Sequence, residues 1–112
     1  MTEKNIRELI NKKGVNNVNW HVISCLGHLS ESFIREYQKR VVWQYIIRNQ
    51  ELSIDFIREF RFRYINWIDI SHYQSKSEKF VEEFKDKVDW FVVFKYNVFS
   101  DKFNKKWNER LK

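Results

Sequence analysis

The residue types best suited to chemistry in this sequence are two histidines and the single cysteine, His21, Cys25 and His28. Their spacing of four and then three residues predicts that they share one face of a helix. Imidazole and thiolate groups are common zinc ligands, so a metal site is one interpretation of the pattern. A structural zinc site takes four ligands, however, and no fourth histidine or cysteine lies close by in the sequence. We therefore favour an ordinary solvated helix face and expect no metal or other cofactor.

A second group of candidate residues is basic and interleaved with aromatic rings. The chain has 21 Lys and Arg against 15 Asp and Glu, with a net charge of +6 and a pI of about 9.5. The candidates are Arg58, Arg61 and Arg63 in the centre, and Lys102, Lys105 and Lys106 near the C-terminus. Such residues bind phosphate backbones through counterion release, and they equally attract acidic protein surfaces. A solvated helix surface is a third interpretation, because acidic residues are mixed among the basic ones.

Several classes of protein are disfavoured by what the sequence lacks. It has two glycines and no HExxH, GxSxG or CxxC motif, so neither a phosphate-binding loop nor a familiar catalytic centre is expected. One cysteine suits a reducing compartment. No stretch approaches the ~18 apolar residues of a membrane span, and no apolar segment follows the first four residues. We therefore expect a cytoplasmic, non-enzymatic protein without a signal peptide or a membrane partner.

The elements that must position these residues are indicated by an internal repeat. Tryptophan recurs at intervals of 23, 24 and 23 residues, serine follows each tryptophan after ten residues, and phenylalanine follows each serine after three. A further aromatic residue comes four positions after each phenylalanine. The columns are Trp20, Trp43, Trp67 and Trp90; Ser30, Ser53, Ser77 and Ser100; Phe33, Phe56, Phe80 and Phe103; and Tyr37, Phe60, Phe84 and Trp107. Fixed periods of 20–50 residues are typical of solenoids.

Each repeat is predicted to form two short helices. The first begins at the tryptophan and carries an apolar stripe, as in Trp43, Ile46 and Ile47. The second begins at the serine, which is a preferred N-cap residue, and an acidic residue in its first turn favours the helix dipole. Two-helix units bury their apolar faces by stacking in a row, and the repeated aromatics are expected in that core. The fold class is therefore all-α, a short α-solenoid of about four two-helix repeats.

The repeats set the expected domain organisation of the single helical-repeat domain, residues 1–112. Thr2–Leu9 aligns with Ser30–Tyr37 and predicts an N-terminal half-repeat, which together with a loop beginning near Lys12 fills residues 1–17. The four repeats are expected at residues 18–40, 41–64, 65–87 and 88–112.

The repeat residues also resemble a known sequence pattern. Leu29–Tyr37, Leu52–Phe60 and Glu83–Trp90 are similar to the "LSEDFIREFKDKVDW" short helical repeat of giant DNA viruses and large phages. Ile70–Gln74 fits the "IS–YQ" portion, and the likeness covers roughly residues 18–107. The resemblance carries no catalytic residue; it implies a viral origin and an interaction role. By analogy, a small protein of this kind would be a counter-defence factor such as an anti-CRISPR.

The outward columns of the Trp helices vary most between repeats, and a solenoid uses its free columns for recognition. Ile68, Phe91 and Val98 would form an exposed apolar patch for a partner or a second copy, unless a capping element covers them. Our first hypothesis is a module that binds a host protein with an acidic surface. Its expected residues are Arg48, Arg61, Arg63, Ile68, His72, Phe91 and Lys95. The alternative is a nucleic-acid- or nucleotide-binding repeat protein, with Arg58, Arg61, Arg63, Lys102, Lys105 and Lys106 on phosphates. A metal- or thiol-dependent enzyme at His21, Cys25 and His28 is the remaining hypothesis.

Overall fold

The computed structural model describes residues 1–108, which contain nine α-helices and no β-strand. The helices are α1 (Glu3–Lys13), α2 (Trp20–Ser24), α3 (Glu31–Glu36), α4 (Trp43–Asn49), α5 (Ile54–Glu59), α6 (Trp67–Tyr73), α7 (Glu78–Glu83), α8 (Trp90–Tyr96) and α9 (Asp101–Trp107). We call α2, α4, α6 and α8 the Trp helices, and α1, α3, α5, α7 and α9 the capped helices.

The capped helices begin where the sequence predicts. The hydroxyls of Ser30, Ser53, Ser77 and Ser100 each accept a hydrogen bond of 3.1–3.2 Å from the backbone N–H three residues later. Thr2 does the same for Asn5 at 3.2 Å, which supports its alignment with the serines. Each bond satisfies one of the N–H groups that an α-helix leaves free at its first turn.

The Trp helices begin with caps that the sequence analysis did not identify. Asn19, Asn66 and Asp89 accept bonds from first-turn N–H groups, whereas Val42 at the start of α4 offers no side-chain cap. The backbone N–H of Val42 instead donates to the Ser24 hydroxyl of the preceding Trp helix at 2.9 Å. The start of one Trp helix is therefore tied to the neighbouring repeat.

The helices form two rows along a rod of 54 × 24 × 20 Å. In one row the Trp helices pack in the order α2, α4, α6, α8, and side chains of consecutive capped helices pair along the other. The core between the rows contains one aliphatic column, Ile23, Ile46, Ile70 and Val93, and one aromatic column, Phe33, Phe56, Phe80 and Phe103. The predicted short α-solenoid is confirmed.

The repeated tryptophans lie at the edge of this core, and their predicted burial is only partly correct. Trp90 is 8% exposed, but Trp20, Trp43 and Trp67 are only half-buried and pack against the margin of the core. The indole N–H groups of Trp20, Trp43 and Trp90 each donate to a backbone carbonyl five residues earlier, at 2.9 Å. A buried indole needs such a partner, and the loops before α2, α4 and α8 supply it.

Two loops depart from the sequence interpretation. Lys12 and Lys13 belong to α1 and not to a loop. The C-cap of α1 is Gly14, whose φ of +87° is a conformation that glycine adopts without steric cost. The extra residue of the 24-residue interval lies in the loop between α5 and α6, where Tyr64 adopts a φ of +64°. The Tyr64 ring stacks on Trp43 with a centroid distance of 4.9 Å and an interplanar angle of 2°. That stacking offsets the cost of a left-handed tyrosine.

Candidate binding surfaces

The capped helices are joined by a ladder of ion pairs. Arg7 pairs with Glu36 at 3.0 Å, Arg35 binds Glu59 through two nitrogens at 2.9 Å, and the Arg58 guanidinium reaches Glu83 at 2.6 Å. The hydrogen bonds from Arg35 hold the pKa of Glu59 below its ordinary value. In the repeat alignment the arginine and the glutamate always fall five and six positions after the capping residue. That column signal could have revealed the ladder from sequence.

The last junction carries the same ion pair with its polarity reversed. Glu82 occupies the arginine position and Lys106 the glutamate position, and their charged atoms lie 3.1 Å apart. Hydrogen bonds from Lys106 and from the Trp107 indole lower the pKa of Glu82. Arg58 and Lys106, two of the predicted phosphate-binding residues, therefore hold neighbouring repeats together and are not free for a ligand.

In a second ladder, a glutamate at the start of one capped helix accepts a hydrogen bond from the capping serine of the next capped helix. Carboxylate oxygens of Glu3, Glu31 and Glu78 accept the backbone N–H of Ser30, Ser53 and Ser100 at 2.7 Å. Hydrogen bonds from Ser100 lower the pKa of Glu78. The equivalent position in the second repeat is Ile54, so the carboxylate rung is absent between the second and third repeats.

Glutamine amides add a third set of bonds between repeats. The Gln74 Oε1 accepts the Leu52 N–H at 3.2 Å, and its Nε2 donates to the carbonyls of Ile47 and Gln50 at 2.7 Å. Gln50 makes the equivalent bonds to Leu29 and Leu26 of the first repeat. Gln50 and Gln74 are the C-caps of α4 and α6, so these bonds lie in the turns that lead into the capped helices.

A groove of about 800 Å³ opens beside Gln74, at the junction that lacks the carboxylate rung. Its lining includes Arg48, Glu51, Ile54, His72, Lys76 and Tyr96. Arg48 is held by Asp69 at 3.5 Å and lies over the Tyr73 ring at 5.9 Å. The groove therefore has a polar, mixed-charge wall.

The outward surface of the Trp helices, which we call the Trp-helix face, changes character along the rod. At its C-terminal end Ile68 is 59% exposed and Phe91 68%, and Val98, in the loop after α8, is 99% exposed, so within residues 1–108 no capping element covers them. Beside them the His72 ring lies between Tyr73 and Tyr96, at centroid distances of 4.0 and 3.8 Å. The predicted outward residues Ile68, His72, Phe91 and Lys95 thus lie on two adjacent helices. Ser75, which follows α6, is buried and donates to the Ile70 carbonyl.

The last turn of α1 and the loops that follow the other capped helices form a basic edge. Eight exposed cations lie there, namely Lys12, Lys13, Lys39, Arg40, Arg61, Arg63, Lys85 and Lys87. The segments that carry them, residues 12–19, 37–42, 60–66 and 84–89, contain two acidic residues, so their net charge is +6 and the rest of the sequence is neutral. Neighbouring loops are in contact, since Arg40 bonds Asn16 and Lys87 lies over the Phe62 ring at 5.4 Å. Counting charge by repeat position, and not by chain half, would have found this edge.

The structure separates the residues of both binding hypotheses. Arg61 and Arg63 lie on the basic edge, whereas Arg48 lies near the opposite ends of the Trp helices, on the groove. Lys102 and Lys105 are exposed on α9, and Lys106 lies over the Trp107 ring together with Lys85 of the basic edge. Lys102 and Lys106 line a cleft of about 410 Å³ with Glu78 and Glu82, which offsets their charge.

The histidine and cysteine candidates do not form a cluster. α2 ends at Ser24 and Cys25 is its C-cap, so the predicted helix face does not extend to His28. The His21 ring contacts Tyr45 instead, and His28 Nε2 lies 2.6 Å from the Met1 carbonyl. Among residues 1–108, no group of three or more His, Cys, Asp or Glu is arranged to hold a metal ion. Of the helices described there, none is long and apolar enough to cross a membrane.

Comparison of the chain with protein-family models, with curated proteins and with solved structures finds no match.

Proposed function

We propose that this protein is a non-enzymatic binding module that engages a host protein through the C-terminal end of the Trp-helix face. The observation that carries the proposal is the exposure of Ile68 and Phe91, at equivalent positions of the adjacent helices α6 and α8, since the repeat core buries most other large apolar side chains. Exposed apolar side chains grouped on one surface mark interaction sites, because each loses its hydration cost when a partner covers it.

The surroundings of this patch favour a partner with an apolar centre and an acidic rim. Lys95 is exposed beside Phe91 and lies over the Tyr96 ring at 5.4 Å. Tyr73, His72 and Tyr96 form a row of stacked rings, and Arg48 lies over Tyr73 at the other end of that row. Cations at the margin of an apolar patch steer acidic surfaces and fix orientation. Stacked tyrosines lose little side-chain freedom on binding, which suits them to interface positions.

The sequence resemblance to viral and phage repeats supports an inhibitory role in the cytoplasm of a host cell. Such a module would inhibit by covering a surface that the target needs. The target that we propose is a defence protein of the host, as it is for an anti-CRISPR.

The test is affinity capture from nuclease-treated host lysate, followed by a titration with the purified captured protein. Replacing Ile68 and Phe91 with Ser should weaken binding by tenfold or more and leave the melting temperature unchanged, because both side chains are exposed. Val22→Ser is the matched control, since Val22 is 57% exposed at the far end of the same row. Equal affinity of the double variant and the control would refute the proposal. Sedimentation of the free protein as a dimer that the double variant dissociates would instead assign the patch to a second copy.

A further inference from the structure

We propose that the basic edge binds the phosphate backbone of single-stranded nucleic acid, with the Phe62 ring as a stacking platform for a base. This surface is distinct from the Trp-helix patch, so the inference does not depend on the proposed protein partner.

The first argument is the placement of charge. The net charge of +6 coincides with the charge of the basic edge, because the remaining 13 basic and 13 acidic residues balance. Among residues 1–108, no salt bridge involves any of the eight edge cations, whereas Arg7, Arg35, Arg58 and Lys106 are all paired. Coulombic attraction from Arg63 and Lys85 also lowers the pKa of Glu59 and of Glu82, but these carboxylates are already bound by Arg35 and Lys106. The edge cations are thus available to an external anion.

The second argument is periodicity. Packed helices lie about 8–10 Å apart, so the solenoid presents a pair of cations about every 10 Å along its edge. A linear polyanion that runs along the rod meets each pair in turn and releases counterions at each. A compact anion or an isolated acidic side chain would use one pair only. The spacing therefore favours a chain of phosphates over a small ligand.

The third argument is the ring at the centre of the edge. Phe62 is 76% exposed, with the Arg61 guanidinium 4.6 Å and the Lys87 ammonium 5.4 Å from its centroid. Both cations lie over the ring, and a base that stacks on Phe62 takes their place on its face, so that they move onto the adjoining phosphates. Bases inside a duplex are not open to such stacking, and an acidic protein surface has no base to stack. This arrangement favours a single strand.

The test is fluorescence anisotropy with a labelled 15-nucleotide oligo-dT, a hairpin duplex of equal charge, and polyglutamate as competitor. We expect oligo-dT to bind more tightly than the duplex, with affinity falling as salt rises at a log–log slope of about −0.7 per phosphate contact. Changing Arg61, Arg63, Lys85 and Lys87 to Gln should weaken binding by tenfold or more and flatten that slope. Phe62→Ala should weaken binding about fivefold or more, with the slope unchanged.

The matched control compares two triple variants that remove the same charge. One changes Arg61, Arg63 and Lys87 to Gln on the edge, and the other changes Lys4, Lys76 and Lys79, which are exposed at the starts of α1 and α7. The second should bind as the unmodified protein does. Absence of binding at 50 mM salt, or equal weakening by both triple variants, would overturn the proposal. Unchanged affinity of Phe62→Ala, together with equal competition by polyglutamate, would assign the edge to an acidic protein and equally overturn it.

Discussion

Replacing Gln74 with Ala should uncouple the second and third repeats, because one amide supplies three hydrogen bonds across their junction. It accepts the Leu52 N–H and donates to two carbonyls at 2.7 Å, beside the junction where Ile54 replaces the capping carboxylate. A typical intramolecular hydrogen bond contributes about 0.5–1.5 kcal/mol net. Water in the adjoining groove can satisfy part of what is lost, so we expect a loss of about 2–3 kcal/mol from the free energy of unfolding.

Urea denaturation followed by tryptophan fluorescence measures this loss, since each repeat carries a tryptophan. Gln44→Ala is the control, because Gln44 is exposed on the same row and should change the free energy by at most about 0.5 kcal/mol. Gln74→Glu keeps the acceptor for Leu52 but removes both donors, and it should be at least as destabilising as Gln74→Ala. If both Gln74 variants unfold with the control, the amide bonds do not hold the repeats together.

The other predictions concern the core, the caps and the charged ladders. Phe56→Ala should lower the free energy of unfolding by about 3–5 kcal/mol, and Trp67→Ala by less, because Phe56 is 1% exposed and Trp67 is half-buried; equal thermal shifts would contradict this placement. Ser30→Ala should cost about 1 kcal/mol as a lost N-cap, and denaturation with no shift would reject that role. The lowered pKa values of Glu59 and Glu78 give stability that is full above the ordinary value of 4.5 and is lost as pH falls below it. Melting temperatures that stay constant from pH 6 to pH 3 would argue against the ladders.

The sequence predicts the parts of this fold that depend on local chemistry. A serine cap acts within one turn, so Ser30 and its equivalents mark helix starts without any knowledge of neighbours. The partial burial of Trp43 was not predictable in this way, because a 3.6-residue stripe does not separate the centre of a core from its margin. The Arg35–Glu59 pair spans 24 residues and arises only once repeats stack. Mixed charges that look like a solvated surface in one repeat become a ladder in an array.

The candidate surfaces, like the fold, were predictable from the sequence only in part. Exposure of Ile68 and Phe91 was expected, because columns that do not stack face outwards. The helix face that was expected to carry His21, Cys25 and His28 does not form, because α2 ends at Ser24 and Cys25 is its C-cap. The basic edge was missed because its cations are spread over four loops, and a count along the chain dilutes what the solenoid gathers on one side.

The reversed polarity of the Glu82–Lys106 pair fixes the order of the repeats. An additional ordinary repeat placed after the third would set its glutamate against Glu82, and two carboxylates would meet where an ion pair is needed. The fourth repeat, moved to follow the first or second, would set Lys106 against Arg35 or Arg58. Each half of the reversed pair thus accepts only the other. Duplication or loss of a repeat at that junction carries an electrostatic penalty that the hydrophobic core does not impose.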